Sequence, residues 1–118
     1  MRPYAGPVAV LVDGMTGSAS EVFAGGLQSL GRVRVFGEPS AGAVLPAQMD
    51  RLPNRDVLFH AFAEFVTASG IALEGRGVMP DEPVAVTRDA LIAGRDQVVD
   101  TALAWIAEQR EREGAGGD

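Results

Sequence analysis

An uninterrupted apolar run near the start of the chain constrains the fold more than any other feature. Residues 8–12 are Val, Ala, Val, Leu and Val, and they are followed by Asp13 and Gly14. Such runs are typical of a strand that is buried on both faces, as in a parallel sheet. We therefore expect residues 8–12 to form a strand in the hydrophobic core.

The residues that follow predict a helix and a second strand. Residues 18–30 place apolar side chains at helical spacing, and Gly31 is a typical stop signal for a helix. Residues 32–36 then alternate arginine and valine before a phenylalanine, as a strand does. A strand, a helix and a strand within about 30 residues predict a βαβ unit with a right-handed crossover. The predicted fold class is therefore α/β.

Antiparallel β-hairpins are expected after this unit. Residues 44–52 and 57–67 have extended patterns, and a turn at residues 53–56 separates them. A second turn at residues 68–70 leads into residues 71–73. These hairpins are predicted to be additions to the parallel unit.

Two helices are predicted near the C-terminal end. Thr87 can cap a short helix that ends at Gly94, and Asp96 can cap the last helix. That helix is predicted to end in a run of charges at residues 108–113, since such runs are typical of a solvated surface. Residues 114–118 are predicted to be a disordered tail.

Composition excludes several classes of function. The chain has 118 residues, a formal net charge of −6 and no cysteine, and all ten of its cations are arginine. The acidic balance argues against attachment to nucleic acid or anionic lipid. Absence of cysteine excludes disulfides, thiolate metal sites and cysteine nucleophiles. The sequence also predicts no membrane segment, no metal site and no cofactor, because its apolar runs are far shorter than roughly 20 residues and its carboxylates lack metal-ligand spacing.

The sequence Gly17-Ser18-Ala19-Ser20-Glu21 is the first candidate for chemistry. Ser18 and Glu21 have the spacing of a capping box, in which both side chains bind backbone amides at the start of a helix. The same position suits acyl transfer, because backbone amides and the positive end of the helix dipole can stabilise an oxyanion there. The motif alone favours the cap, and the catalytic interpretation stays open.

A serine nucleophile needs a general base, and the chain offers few candidates. It contains no lysine, and its one histidine is His60. His60 falls within an alternating strand pattern, so we expect a strand residue with a local hydrogen-bond partner, with a role as base the weaker alternative. Glu74, between Leu73 and Gly75, is expected to be an exposed loop carboxylate.

Five motifs in order resemble a known family. They are Gly6-Pro7-Val8-Ala9-Val10-Leu11-Val12-Asp13, Gly17-Ser18-Ala19-Ser20-Glu21, Leu30-Gly31-Arg32 to Val35-Phe36-Gly37-Glu38, Leu73-Glu74-Gly75-Arg76-Gly77-Val78, and Pro80-Asp81. Together they resemble the C-terminal half of a C-terminal processing peptidase, the family that includes the tail-specific proteases and the tricorn core protease. The resemblance implies part of a Clp protease/crotonase-like β/α superhelix, and serine peptidase activity through an acyl-enzyme.

The resemblance also implies roles for particular residues. Ser18 corresponds to the nucleophile and the amide of Ala19 to an oxyanion-hole donor, with Glu21 supporting the helix cap. The lysine of the Ser/Lys members falls on Ala43, which excludes that dyad. The chain is instead similar to the tricorn-like branch, whose supporting glutamate falls on Glu74 and whose histidine is not among these residues.

For the chain as a whole, the resemblance implies the C-terminal part of a catalytic domain, residues 1–113. This part is expected to be a fragment that is inactive alone, with peptides or proteins as substrates and a homo-oligomer as one way to cover an unpaired core strand. A bacterial origin and an exported or periplasmic location are implied by resemblance only. Two other functions stay open: a non-catalytic binding or assembly module that keeps the fold, and, by fold alone, a crotonase-like acyl-CoA enzyme.

Overall fold

The structure, a computed structural model, describes residues 2–115. Five strands and three helices lie within this range. In chain order they are β1 (Ala9–Val12), α1 (Ala19–Ser29), β2 (Arg34–Gly37), β3 (Ala47–Arg51), β4 (Val57–Ala61), β5 (Glu82–Pro83), α2 (Arg88–Ile92) and α3 (Gln97–Ala115). The α/β class predicted from the sequence is confirmed.

A three-stranded parallel sheet forms the centre of the fold, in the order β1, β2, β5. β1 and β2 pair from Ala9 opposite Arg34 to Val12 opposite Gly37. α1 is the crossover between them, so this is the βαβ unit that the apolar run and the helical spacing predict. β5 adds a short third strand on the other side of β2, which leaves β1 at the edge of the sheet.

Gly37 ends β2 at a point where the sheet has no room for a side chain. Its φ is 118°, and a Cβ atom on it would lie 2.0 Å from the carbonyl oxygen of Val12. Glycine is the residue that combines this φ with such a close approach. The C-terminal ends of β1 and β2 are thereby held together, and the loops that follow them leave the sheet side by side.

The buried core joins α1 and the parallel sheet to two later loops. Its buried members are aliphatic: Val12, Ala24, Val35, Val44, Leu73 and Val78. Burial of a side chain of valine or leucine size contributes roughly 1.5–3 kcal/mol. The loops that carry Val44, Leu73 and Val78 are therefore parts of the packed structure and not loose connections.

α3 packs against β1 and β2. The rings of Phe36 and Trp105 lie 5.6 Å apart at an interplanar angle of 55°, a geometry that adds about 0.5–1.5 kcal/mol beyond area burial. Asp96 caps the helix as predicted, because its Oδ1 accepts from the amides of Val98 and Val99 at 3.0 Å each. α3 is thus fixed both at its start and along its length.

α3 continues beyond the end predicted from the sequence. Gly114 and Ala115 are helical, which corrects the expectation of a tail that begins at residue 114. Extension costs little, because each added residue gains a backbone hydrogen bond and glycine disfavours a helix by only about 1 kcal/mol. The rest of the expected tail, residues 116–118, lies outside the described residues. Neither α3 nor any other helix of residues 2–115 combines the length and apolarity needed to cross a membrane.

β3 and β4 form a separate two-stranded antiparallel sheet, the first of the predicted hairpins. Most of its side chains are exposed. The second predicted hairpin is reduced to a single bridge between Val66 and Ala72. Pairing stops there because Leu73 leaves the hairpin for the core and Gly75 bonds to Gly42 instead.

Candidate active site

We call residues 17–19, where the loop after β1 enters α1, the serine turn. Ser18 within it has φ 56° and ψ −128°, a combination that glycine adopts far more readily than serine. A non-glycine residue held in such a region costs about 1–3 kcal/mol. The nucleophile elbow of α/β-hydrolases holds its serine in a strained strand-to-helix turn of the same kind, although its G-x-S-x-G pattern is not found in this turn.

The backbone of Ser18 is held from two sides. Its amide donates to the carbonyl oxygen of Ala43 at 2.9 Å and to Oε2 of Glu21 at 3.0 Å. Its carbonyl oxygen accepts from the amides of Glu21 at 3.0 Å and Val22 at 3.2 Å. These contacts offset the strain of the serine turn.

The predicted capping box between Ser18 and Glu21 is present at the start of α1. Its carboxylate half is the hydrogen bond from the Ser18 amide to Oε2 of Glu21 at 3.0 Å. The amide of Glu21 also donates to the Ser18 carbonyl oxygen at 3.0 Å, so the Ser18 hydroxyl makes no full hydrogen bond at the cap. Ser18 is exposed, so its hydroxyl is available to a reactant.

Ala19 supplies a backbone donor next to that hydroxyl. Across residues 2–115 the amide of Ala19 donates to no acceptor, whereas the amide of Ser20 donates to the carbonyl oxygen of Gly17 at 3.2 Å. Amides in the first turn of a helix lie at the positive end of its dipole and bind anions well. The serine turn therefore presents a hydroxyl and an unused amide on successive residues.

Glu21 is the buried centre of the site. It is 0% exposed, and its carboxylate accepts hydrogen bonds from the Ser40 hydroxyl at 2.5 Å and from the amides of Gly42 at 2.6 Å, Ala43 at 2.9 Å and Ser18 at 3.0 Å. Burial raises the pKa of this carboxyl, but the hydrogen bonds outweigh burial and hold the pKa of Glu21 below its ordinary value. Glu21 is thus a charged group whose burial is compensated entirely by neutral donors.

Ser40 is the member of this site that sequence reasoning missed. It is buried, and its hydroxyl donates to Glu21 and accepts from the amide of Val78 at 2.7 Å. A serine in a glycine-containing loop has no spacing signal of its own. Only the folded structure shows its surroundings, including Gly77, where a Cβ atom would lie 2.5 Å from the Ser40 carbonyl oxygen.

Glu74 is exposed, as expected, but it is not a free loop carboxylate. Its Oε2 accepts from the amides of Val44 at 2.7 Å and Leu45 at 3.1 Å. The preceding residue, Ala43, provides the carbonyl oxygen that binds the Ser18 amide. The structure therefore brings the Ser18 amide and the Glu74 carboxylate to the backbone of the same short segment, residues 43–45.

His60 lies on β4, away from these contacts. Its Nε2 is 2.7 Å from Oδ2 of Asp50 on β3, and its Nδ1 is 3.0 Å from the carbonyl oxygen of Ala61. The hydrogen bond with Asp50 raises the pKa of His60 and lowers the pKa of Asp50. The prediction of a strand residue with a local partner is confirmed, and both ring nitrogens are engaged within the hairpin.

The serine turn and the loops around it belong to a sequence pattern found in known peptidases. The sequence model of peptidase family S41 matches residues 2–84. The chain belongs to this family. The resemblance to C-terminal processing peptidases stated from the motifs is therefore confirmed.

Curated relatives of this S41 chain are named carboxyl-terminal-processing proteases or peptidases. A carboxyl-terminal-processing protease from Picosynechococcus sp. is 37% identical over 66% of this chain. The chloroplastic carboxyl-terminal-processing peptidase 2 from Arabidopsis thaliana is 36% identical over 66% of this chain. The chain spans 19% and 15% of the lengths of these two proteins.

Solved S41-type structures share the fold. The photosystem II D1 C-terminal processing protease is 33% identical, with a TM-score of 0.62 over 66% of this chain and 20% of its own. The tricorn protease has a TM-score of 0.74 over 89% of this chain and 11% of its own, and at 23% identity this likeness concerns the fold alone. The predicted partial peptidase fold is confirmed.

Proposed function

We propose that this chain carries the nucleophile and one oxyanion donor of a serine-type peptidase that cleaves peptides or proteins. Ser18 is the nucleophile, and the amide of Ala19 is the donor. The observation that carries the proposal is the strained Ser18 backbone, held by Glu21 and Ala43 while its hydroxyl stays exposed. Strained residues persist where their surroundings over-determine them, and they are concentrated at active sites.

In the proposed reaction, Oγ of Ser18 attacks the carbonyl carbon of a peptide bond while its proton passes to a general base. The carbonyl oxygen becomes an oxyanion and accepts a hydrogen bond from the amide of Ala19. Collapse of this intermediate expels the amine, which takes the proton from the base, and leaves an ester on Ser18. Water activated by the same base then hydrolyses the ester.

We propose that the general base comes from outside these residues. The chain has no lysine, and the ring nitrogens of His60 are engaged with Asp50 and Ala61. Glu74 is proposed to support the site through residues 43–45, whose first carbonyl oxygen holds the serine turn. The chain alone is therefore expected to turn over no peptide.

Covalent labelling with a fluorophosphonate probe, located by mass spectrometry, tests the role of Ser18. Ser20 is a matched control, because it is also exposed and lies in the first turn of the same helix. We expect adducts on Ser18 to form about 10²-fold faster than on Ser20, since an aligned oxyanion donor is worth about that much. Equal, slow labelling of the two serines contradicts the proposal.

A non-catalytic binding or assembly module is the second candidate, and the lack of an evident base favours it. In that case Ser18 is strained without being activated. Addition of imidazole as an external base separates the two functions. Labelling of a poised Ser18 should accelerate relative to Ser20, whereas a serine that serves no chemistry should show no such difference.

Assembly and location complete the proposal. β1 lies at the edge of the parallel sheet and Leu11 on it is exposed, so we propose that copies of the chain associate through this edge. Light scattering that shows a monomer at high concentration contradicts this. An exported or periplasmic bacterial location is proposed from the family resemblance, and fractionation of the source cells tests it.

A further inference from the structure

Ser40 joins two parts of the molecule that the proposed function leaves unconnected. Its hydroxyl lies between the carboxylate of Glu21, at 2.5 Å, and the amide of Val78, at 2.7 Å. Its own amide donates to the Val78 carbonyl oxygen at 3.1 Å. Ser40 is therefore tied by both backbone and side chain to a residue that is distant from the serine turn in sequence.

We propose that Ser40 is a positioning residue that couples the turn at residues 75–78 to the serine turn. Its hydroxyl holds one carboxylate oxygen of Glu21, and the other carboxylate oxygen holds the Ser18 amide. The expected effect on Ser18 reactivity rests on the proposed function. The hydrogen bonds that couple the two turns are observed whether or not Ser18 is a nucleophile.

The chemistry of the groups determines which of them donates and which accepts in these hydrogen bonds. The amide of Val78 can only donate, so the oxygen of Ser40 accepts from it. The single hydroxyl proton of Ser40 is then directed to Glu21, which as a carboxylate can only accept. Linked hydrogen bonds of this kind polarise one another in a buried site. Ser40→Ala removes both the hydrogen bond to Glu21 and the hydrogen bond from the Val78 amide.

The turn at residues 75–78 is packed closely against the loop that carries Ser40 and Gly42. A Cβ atom on Gly77 would lie 2.5 Å from the Ser40 carbonyl oxygen and 2.8 Å from its hydroxyl oxygen. A Cβ atom on Gly42 would lie 2.9 Å from the Gly77 amide nitrogen. The amide of Gly75 also donates to the carbonyl oxygen of Gly42 at 2.8 Å. Residues 75–78 therefore cannot shift without moving Ser40.

Nuclear magnetic resonance of the full 118-residue chain tests the coupling without requiring activity. In the wild type, the Glu21 carboxyl carbon and the Ser18 and Val78 amides should titrate with one common midpoint. In Ser40→Ala the pKa of Glu21 should rise toward its ordinary value, because a hydrogen bond that lowers it is lost. The chemical shift of the Val78 amide should then no longer change with the protonation of Glu21.

Thr67→Ala is the matched control. Thr67 is also buried, and its hydroxyl accepts from the amide of Ile71 at 3.1 Å without contacting Glu21. Its loss should leave the Glu21 titration unchanged. Labelling of Ser18 should fall about tenfold in Ser40→Ala, as expected for a lost hydrogen bond to a charged group. It should be unchanged in Thr67→Ala and recover in Ser40→Thr.

The outcomes separate the two proposals. A wild-type chain that shows the common titration but no preferential Ser18 labelling refutes the proposed function and leaves the coupling in place. Unchanged Glu21 titration and labelling in Ser40→Ala overturn the coupling. If Ser40→Ala does not fold, the wild type decides, because a Val78 amide that ignores the Glu21 titration overturns the coupling as well.

Discussion

The amide nitrogen of Ser18 and the carbonyl oxygen of Ala43 lie 2.9 Å apart. This contact brings next to the serine turn the residue on which, from the family resemblance, we expect the lysine of the Ser/Lys members to fall. Because the contact is made by backbone atoms, it does not depend on the side chain at residue 43. Residue 43 is thus held beside Ser18 while its side chain is that of alanine.

Ala43→Lys should therefore restore a base to the site. Ala43 is exposed, so the longer side chain can be accommodated. We expect fluorophosphonate labelling of Ser18 to accelerate at least about tenfold, as a modest share of what general-base catalysis supplies, and to increase with pH as the lysine loses its proton. Ala41→Lys is the control, since Ala41 is exposed in the same loop and bonds to Thr16 instead. Equal rates in the two variants count against a base position at residue 43.

Glu21→Gln should destabilise the fold by about 3 kcal/mol at neutral pH. The amide group cannot accept all of the hydrogen bonds that reach the carboxylate, and buried donors are left without partners. Denaturant unfolding measures the loss. Glu38→Gln, at an exposed carboxylate, should change stability by less than about 0.5 kcal/mol.

The effect of Glu21 should also depend on pH. Because its pKa is lower in the folded chain, its contribution is present above pH 4.5, the ordinary pKa of the group, and is lost as pH falls through the folded pKa. The stability difference between wild type and Glu21→Gln should shrink below pH 4.5. A difference that stays constant down to acid unfolding would show that Glu21 is not charged in the fold.

Two adjacent helical glycines should respond oppositely to alanine. A Cβ atom on Gly26 meets nothing within 4 Å, so Gly26→Ala should stabilise α1 by about 1 kcal/mol. A Cβ atom on Gly25 would lie 2.8 Å from Leu73 and 3.3 Å from Val78, so the helix gain there should be cancelled or reversed by overpacking. Thermal unfolding of both variants measures the difference, and equal shifts would contradict the packing.

His60 should titrate above its ordinary pKa of 6.5, because Asp50 accepts a hydrogen bond from the ring. Asp50→Asn should lower the His60 pKa in a nuclear magnetic resonance titration. Asp56→Asn, which removes a hairpin carboxylate bonded to Asn54, should leave it unchanged.

The hairpin pair should act within a defined pH window. The raised pKa of His60 means that its contribution is complete below pH 6.5 and is lost as pH rises through the folded pKa. The lowered pKa of Asp50 means that its contribution is present above pH 3.8 and is lost as pH falls through the folded pKa. Hairpin order, measured by amide exchange, should therefore be greatest between these limits.

Local patterns predicted the elements that depend on local physics. The strand of β1, the helical spacing of α1 and the cap at Asp96 each involve residues close in sequence, and each element forms where it was predicted. The expectation that β1 is buried on both faces is wrong, because β1 lies at the edge of the sheet, where Val12 is buried and Leu11 is exposed. The roles of Ser40 and Glu74 could not be predicted in this way. Ser40 bonds to Val78 across 38 residues and Glu74 to Val44 across 30, so these contacts exist only after the loops have packed.

The hydrogen bonds at Glu21 also set an order of events in biosynthesis. The first strand and helix leave the ribosome before Ser40 and Ala43, and Val78 follows much later. The serine turn can be fully aligned only when all of these have arrived and docked. A nascent chain therefore carries Ser18 without the full set of these hydrogen bonds until residue 78 has been synthesised and has docked.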